Sequence, residues 1–238
     1  MEEQIKKKAA RGSICDCKDC VLRELMFIHV PSSGSKYVCK SKVEIKFNKG
    51  ENIISSGDEI KNMLCIKDGL IKIYNISKNN KEQIISIAKP YDFSYLINIF
   101  SNNYYKYNIS AIEDSTICFI SIDNIKKMVL ENGSFAISLL NKLSVASDKI
   151  INNFLEINKR NLRGRVAYIL LFFSKEIYKS SVFILPVSRK EIAELIDMTT
   201  ENVIRIMSEF RIEDIIRIHT KEIEIKDFKR LEIIMEKG

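Results

Sequence analysis

No apolar run in the 238-residue sequence reaches the roughly 18 residues that a membrane-crossing helix needs, so no spanning segment is expected. The opening stretch "MEEQIKKKAARGSICDC" carries no apolar core of a secretion signal, and the expected compartment is the cytoplasm. Histidine is scarce: His29 and His219 are the two present, and neither has a base or carboxylate arrangement beside it that argues for catalysis. A phosphate-binding loop, a nucleophile signature and a metalloprotease motif are all missing, so the expectation is that this is not an enzyme. Internal repeats and long disordered linkers are missing too. What remains is 46% hydrophobic and 29% charged, the composition of a soluble globular protein long enough for one large domain or two modest ones.

The formal net charge of +7 favours a polyanionic partner without proving one. From Arg160 to the end there are 15 basic and 13 acidic residues, an excess of +2, and the first 159 residues hold the other +5. Charge is therefore not concentrated in the C-terminal part. Six cysteines in a reducing compartment do not argue for a disulfide framework. Cys15, Cys17 and Cys20 fall within six residues, "CDCKDC", and thiolates at this spacing can converge on one metal centre: an iron–sulfur cluster, zinc or copper. Cys65, by contrast, reads as a small buried hydrophobe.

From about Lys40 to Asp123 short β-branched runs alternate with turn residues: "KVEIKF", "NMLCI", "LIKIYNI" and "QIISIA", separated by "NKGE", "KDG" and "SKNNKE". Runs of this length and spacing suit an antiparallel β-roll rather than parallel strands with crossover helices. Between Gly133 and Arg160 the pattern changes. Leu139, Leu143, Ala146, Ile150, Asn153 and Ile157 recur at spacings of four and three, a coiled-coil-like seam in which one Asn can select register and partner number. A symmetric dimer is the sharper reading, and a helix packed on its own barrel is the alternative. "LRGRVAYILLFFSKEIY" follows as a further helix despite Gly164, then the extended "SSVFILPV". The expected domains are a sensory β-roll with a cysteine-rich start and a dimerisation helix (about 133–159) over residues 1–159, and a DNA-binding domain over residues 160–238. The fold class is α+β.

"SRKEIAELIDMTTENVIRIMSEF", Ser188 to Phe210, reads as two short helices meeting at a bend. Ser188 with Glu191 three residues on is a capping box, and Ile192, Ala193, Leu195 and Ile196 make the apolar face of the first helix. Asp197 and Met198 form the bend, and Thr199 caps a second helix that buries Val203, Ile206, Met207 and Phe210. Helices joined this tightly cross, as in a helix-turn-helix. The free side of the second one then presents Thr200, Glu201, Ile204 and Arg205 to the major groove of double-stranded DNA. Arg205 suits the O6 and N7 of guanine, Glu201 the amine of cytosine and Ile204 a thymine methyl. Ser188, Arg189 and Lys190 are placed for phosphates. The bland alternative is a surface Glu201–Arg205 ion pair stabilising the helix by about 0.2–0.5 kcal/mol. Two short strands around "HTK" follow, as in a winged helix.

This order of β-roll, long helix and winged helix-turn-helix resembles the bacterial Crp/Fnr family of transcription regulators, and "SRKEIAELIDMTTENVIRIMSEF" is similar to that family's DNA-reading signature. The resemblance extends over nearly the whole chain, with "GDEIKNMLCIKDGLIKIY" (Gly57 to Tyr74) on the barrel and "NLRGRVAYILLFFS" leading into the DNA domain. It implies base-reading roles for Glu201 and Arg205, a homodimer and a palindromic promoter site of the TTGAT…ATCAA or TGTGA…TCACA kind. Position 204 is Ile where the Fnr branch carries Ser, which leaves the half-site open. RNA polymerase is a further partner for such a regulator, although composition identifies no surface for it.

Relatives that bind cyclic nucleotide use a Gly-Glu pair and an Arg-Ser pair. Here Ser94-Tyr95 and the residues Tyr105 to Tyr107 fall at those positions, which argues against cyclic AMP even with Lys106 nearby. The oxygen-sensing Fnr branch has an N-terminal cysteine cluster and one distant barrel cysteine, and "STICFIS" puts Cys118 at the distant position. The next family cysteine falls at Met26. The implied ligand set is Cys15, Cys17, Cys20 and Cys118, with Cys39 in reserve, for a 4Fe-4S cluster; zinc, thiol redox chemistry and no metal stay open. The expected mechanism on that branch is a cluster-driven shift of the long helices. The signal expected is redox, oxygen or nitric oxide, or a small molecule. Two other readings stand beside it: a metal- or redox-binding protein whose helix pair makes only protein contacts, and a ligand-independent DNA-binding regulator.

Overall fold

Short β-branched runs become strands in a computed structural model that describes residues 42–96 and 98–238. Cys15, Cys17, Cys20, Cys39, Met26 and His29 therefore lie outside the described residues. The strands are β1 (Val43–Phe47), β2 (Asn52–Ile54), β3 (Asn62–Asp68), β4 (Ile71–Ile76), β5 (Glu82–Ala88), β6 (Asn108–Ala111) and β7 (Ser115–Ser121). They form two sheets, β1-β7-β3 and β2-β6-β4-β5, the N-terminal antiparallel β-roll. Ile45, Phe47, Ile54, Leu64, Ile66, Ile71, Ile73, Ile117 and Phe119 are buried in its core. The tight β3–β4 turn depends on Gly69, at φ 85°, because a Cβ there would lie 2.3 Å from Ser115 Oγ and 2.4 Å from Asp114 O.

Two helices follow, α1 (Ile122–Glu131) and α2 (Gly133–Asn158). Phe135 N donates to Asn132 Oδ1 at 2.9 Å at the start of α2. Phe135, Leu139 and Ala146 then enter the barrel core, with Leu143 packed against it. Of the expected seam positions, Leu139, Leu143 and Ala146 thus lie against the barrel. Ile150 is half-buried, Asn153 Oδ1 accepts from the Tyr168 hydroxyl at 2.9 Å, and Ile157 is buried, so none of the six seam positions is exposed. The exposed apolar stripe is another one: Ile137 (67% exposed), Leu140, Val145, Ile151, Phe154 (66%) and Leu155. The reason is physical. A helix with apolar residues on two sides shows the same three-and-four spacing on both, and the barrel claims the side carrying Phe135, Leu139 and Ala146.

The C-terminal part comprises α3 (Leu162–Leu171), which runs on as a π-helical turn over Phe172–Tyr178, then β8 (Val182–Ile184), α4 (Arg189–Leu195), α5 (Thr200–Ile212), β9 (Ile216–His219), β10 (Glu222–Ile225) and α6 (Phe228–Lys237). The sheet order is β8-β10-β9. Gly164 is tolerated in α3 because backbone crosses it closely: a Cβ there would lie 3.0 Å from Gly238 Cα. Val166, Leu170, Phe173, Phe183, Ile192, Ile206, Phe210, Ile223 and Leu231 are among the buried apolar residues of this part. The chain divides into two compact units inside α2, between Ile150 and Ile151, with the Ile76–Ile84 turn counted in the second. The expected boundary, 159/160, lies just past the end of that helix. Among the described residues no helix is long and apolar enough to cross a membrane.

Candidate nucleic-acid interface

Local chemistry sets the ends of α4 and α5. Ser188 Oγ accepts from Glu191 N at 3.1 Å and the Glu191 carboxylate accepts from Ser188 N at 2.8 Å, a complete capping box. Ile192, Ala193 and Ile196 are buried, and the chain turns through Asp197 in the left-handed region at φ 49°. Arg165 Nη1 pins that bend by donating to Ile196 O and Asp197 O, both at 3.1 Å. Thr199 Oγ1 then accepts from Asn202 N at 3.3 Å and α5 begins. Val203, Ile206, Met207 and Phe210 are its buried stripe. Arg163 fastens the same helix from α3, reaching Glu209 at 2.7 Å and Glu213 at 2.8 Å with its guanidinium 5.0 Å from the Phe210 ring centroid.

The opposite side of α5 is open. Glu201, Ile204 and Arg205 are exposed, and Thr200 is half-buried at the start. The Glu201–Arg205 ion pair does not form. Arg205 Nη1 instead meets Glu209 Oε1 at 2.5 Å, one turn further on, and among the described residues Glu201 has no ion-pair partner. An exposed pair of this kind stabilises by about 0.3–0.5 kcal/mol, less than the roughly 1–3 kcal/mol of discrimination in a good base contact. Arg205 is therefore available. On the phosphate side Ser188 is exposed and Lys190 is exposed with only a loose 3.7 Å approach to Glu194. Arg189 is half-buried, and that burial lowers its guanidinium pKa without threatening its charge. The wing turn between β9 and β10 carries His219, Thr220 (φ 54°) and Lys221, all exposed. Sequence reasoning did not find Arg163 and Arg165; the pair flanking Gly164 in "LRGRV" was the available signal.

In the barrel, Ser94 and Tyr95 are buried, and burial raises the Tyr95 phenol pKa well above its usual value. Tyr105 is buried as well and donates from its hydroxyl to Asn62 O at 2.7 Å, while Lys106 is exposed. Buried tyrosines thus stand at the positions that the resemblance assigns to the ribose and phosphate contacts of a cyclic nucleotide. Cys118 is fully buried in β7, in register with Glu44 of β1 and Cys65 of β3. Its Sγ donates to Glu44 Oε1 at 3.6 Å, and Glu44 pairs with Lys67 at 2.9 Å and Lys42 at 3.4 Å. Among the described residues no three metal-binding side chains come together.

Comparison with known proteins adds the decisive pattern. The family model of the cyclic nucleotide-binding domain matches residues 44–132, and that of the Crp-like helix-turn-helix domain matches residues 164–234. The chain is 24% identical to electron transport regulator A of Shewanella oneidensis over 96% of its own length and 94% of that protein. It is 23% identical to the transcriptional activator protein FnrA of Stutzerimonas stutzeri, over 95% and 94%. The chain is a transcription regulator of the Crp/Fnr type. Solved structures share the fold of this Crp/Fnr-type regulator: a Crp/Fnr-family protein from Eubacterium rectale has a TM-score of 0.74 at 19% identity, covering 89% of this chain and 97% of that one. FixK2 from Bradyrhizobium japonicum has a TM-score of 0.72 at 19% identity, covering 81% and 96%. In the Crp/Fnr-type regulator the helix-turn-helix match starts at Gly164 and takes in all of α4 and α5, the helices described above.

Proposed function

We propose that this Crp/Fnr-type regulator acts in the cytoplasm as a homodimer that reads a two-fold symmetric DNA site with α5. Arg205, Glu201 and Ile204 contact base edges, Thr199 and Thr200 lie at the groove end of the helix, and Ser188, Arg189 and Lys190 hold phosphates. One observation carries this reading: α5 has its apolar stripe completely buried and its ends capped, yet its other side displays an apolar Ile204 between two exposed charges. An ordinary solvated helix face gains nothing from an unshielded isoleucine there.

The dimer rests on α2. Ile137, Leu140, Ile151 and Phe154 are each worth about 1.5–3 kcal/mol when taken out of water, and a second copy of the same helix is the partner that buries all of them with two-fold symmetry. The signal enters through the N-terminal domain. Within the described residues the Cys118 thiol is buried in the sheet and donates to the Glu44 carboxylate.

The test is selection of duplexes from a random library by the purified full-length chain, repeated over a series of salt concentrations. The expected result is enrichment of two inverted half-sites about 10 base pairs apart, with affinity falling as salt rises. Equal recovery of every sequence would favour the rival, in which the helix pair makes only protein contacts.

A further inference from the structure

A chain of alternating charges runs from the open side of α5 into the C-terminal domain. Arg205 Nη1 donates to Glu209 Oε1 at 2.5 Å, and the other oxygen of that carboxylate, Oε2, accepts from Arg163 Nη1 of α3 at 2.7 Å. Arg163 Nη2 donates to Glu213 Oε1 at 2.8 Å, and Glu213 Oε2 accepts from Arg230 Nη2 of α6 at 2.8 Å. Arg163 also lies over the Phe210 ring, so Glu209 is fixed from the domain side. The Glu209 side chain is 30% exposed against 56% for Arg205, which sets the carboxylate between a settled guanidinium and a solvent-facing one. Helix stability does not account for the outer pair, because Arg four residues before Glu is the weaker orientation of such a pair. A carboxylate one turn along from the groove-facing positions also repels phosphates and lowers affinity for every duplex. The gain that offsets this lies in the guanidinium itself.

A guanidinium is a planar fork, and with Nη1 taken its other edge still offers two parallel N–H groups, on Nε and Nη2, at the spacing of two neighbouring acceptors. Among the described residues Nε of Arg205 has no acceptor, and Nη2 only approaches Asn202 Oδ1 at 3.5 Å. We propose that Glu209, held in turn by Arg163, is a positioning residue for base reading: it keeps Nη1 of Arg205 while the Nε and Nη2 edge takes the O6 and N7 of guanine. The inference rests on α5 being the base-reading helix. An arginine tethered at one nitrogen has fewer rotamers left to lose when it meets DNA. Its plane is also set before contact, which favours guanine, with two acceptors side by side, over bases that present one or none.

Fluorescence anisotropy with the full-length chain tests it, on the selected duplex, its single-base variants and a scrambled duplex. Glu209→Ala should lower discrimination at the base pair read by Arg205, and at its two-fold mate, by at least about threefold, leaving the other positions as they are. The same variant should bind the scrambled duplex at least as tightly as the parent, since a negative charge has gone; a merely structural loss would weaken both. Glu209→Gln keeps a neutral acceptor for Nη1 and should retain most of the discrimination. In an Arg205→Ala background, Glu209→Ala should change the preference no further. Should Glu209→Ala fail to fold, Glu209→Met, which keeps the length of the side chain, carries the same expectation. The proposal is overturned if Arg205→Ala loses the preference at that pair while Glu209→Ala keeps it in full, or if Glu209→Ala weakens every duplex equally. Preference retained in Arg205→Ala itself would instead remove the base-reading role of α5, and this inference with it.

Discussion

Arg205 is held but not sequestered. Its guanidinium shares Glu209 with Arg163, so releasing it leaves Glu209 paired rather than stranded, and the cost of exchange stays low. Arg189 is a different case. Half-buried at the start of α4 beside the exposed Ser188 and Lys190, it has already lost part of its hydration, which suits a phosphate contact better than a freely swinging surface charge would. Arg189→Ala is expected to weaken binding to selected and scrambled duplexes alike and to lower the salt slope by about 1. Affinity measured on both duplexes over a salt series decides this: a change in base preference would remove Arg189 from the phosphate-contact group.

Helix α2 shows what a spacing pattern can and cannot say. It has two apolar sides: Leu139 and Ala146 belong to the barrel while Phe154 and Ile137 face outward. Phe154→Asp is therefore expected to leave the chain folded, shift sedimentation to the monomer and abolish binding to the symmetric site. Leu139→Asp, which buries a charge in the barrel core, is expected to unfold the chain instead. A dimeric, well-folded Phe154→Asp protein would contradict the outward stripe as the interface. The same contrast explains what was legible in advance. The helix pair could be read from Ser188, Glu191 and Thr199 because capping is local chemistry, and its buried stripe because Val203, Ile206, Met207 and Phe210 had no competing stripe. The neighbour of each α2 face could not, because periodicity identifies a face without naming what covers it. Arg163 and Arg165 were invisible for a related reason: their partners, Glu209, Glu213 and the carbonyls of the bend, are distant in sequence.

The order of the parts, β-roll, long helix and winged helix-turn-helix, was legible because strand runs, a long three-and-four pattern and a capping box are distinct local signals. The sensory chemistry was not. Cys118 reads as a ligand from its place in "STICFIS", and its register between Glu44 and Cys65 inside a sheet is information that only strand pairing supplies. The central claim concerns the molecule as a symmetric pair of α5 helices, and binding of Arg205→Ala to every single-base variant of the selected duplex tests it most directly. The account predicts that preference collapses at one base pair and at its two-fold mate, by about 1–3 kcal/mol each, while the other positions keep theirs. Unchanged preference at every position would contradict it.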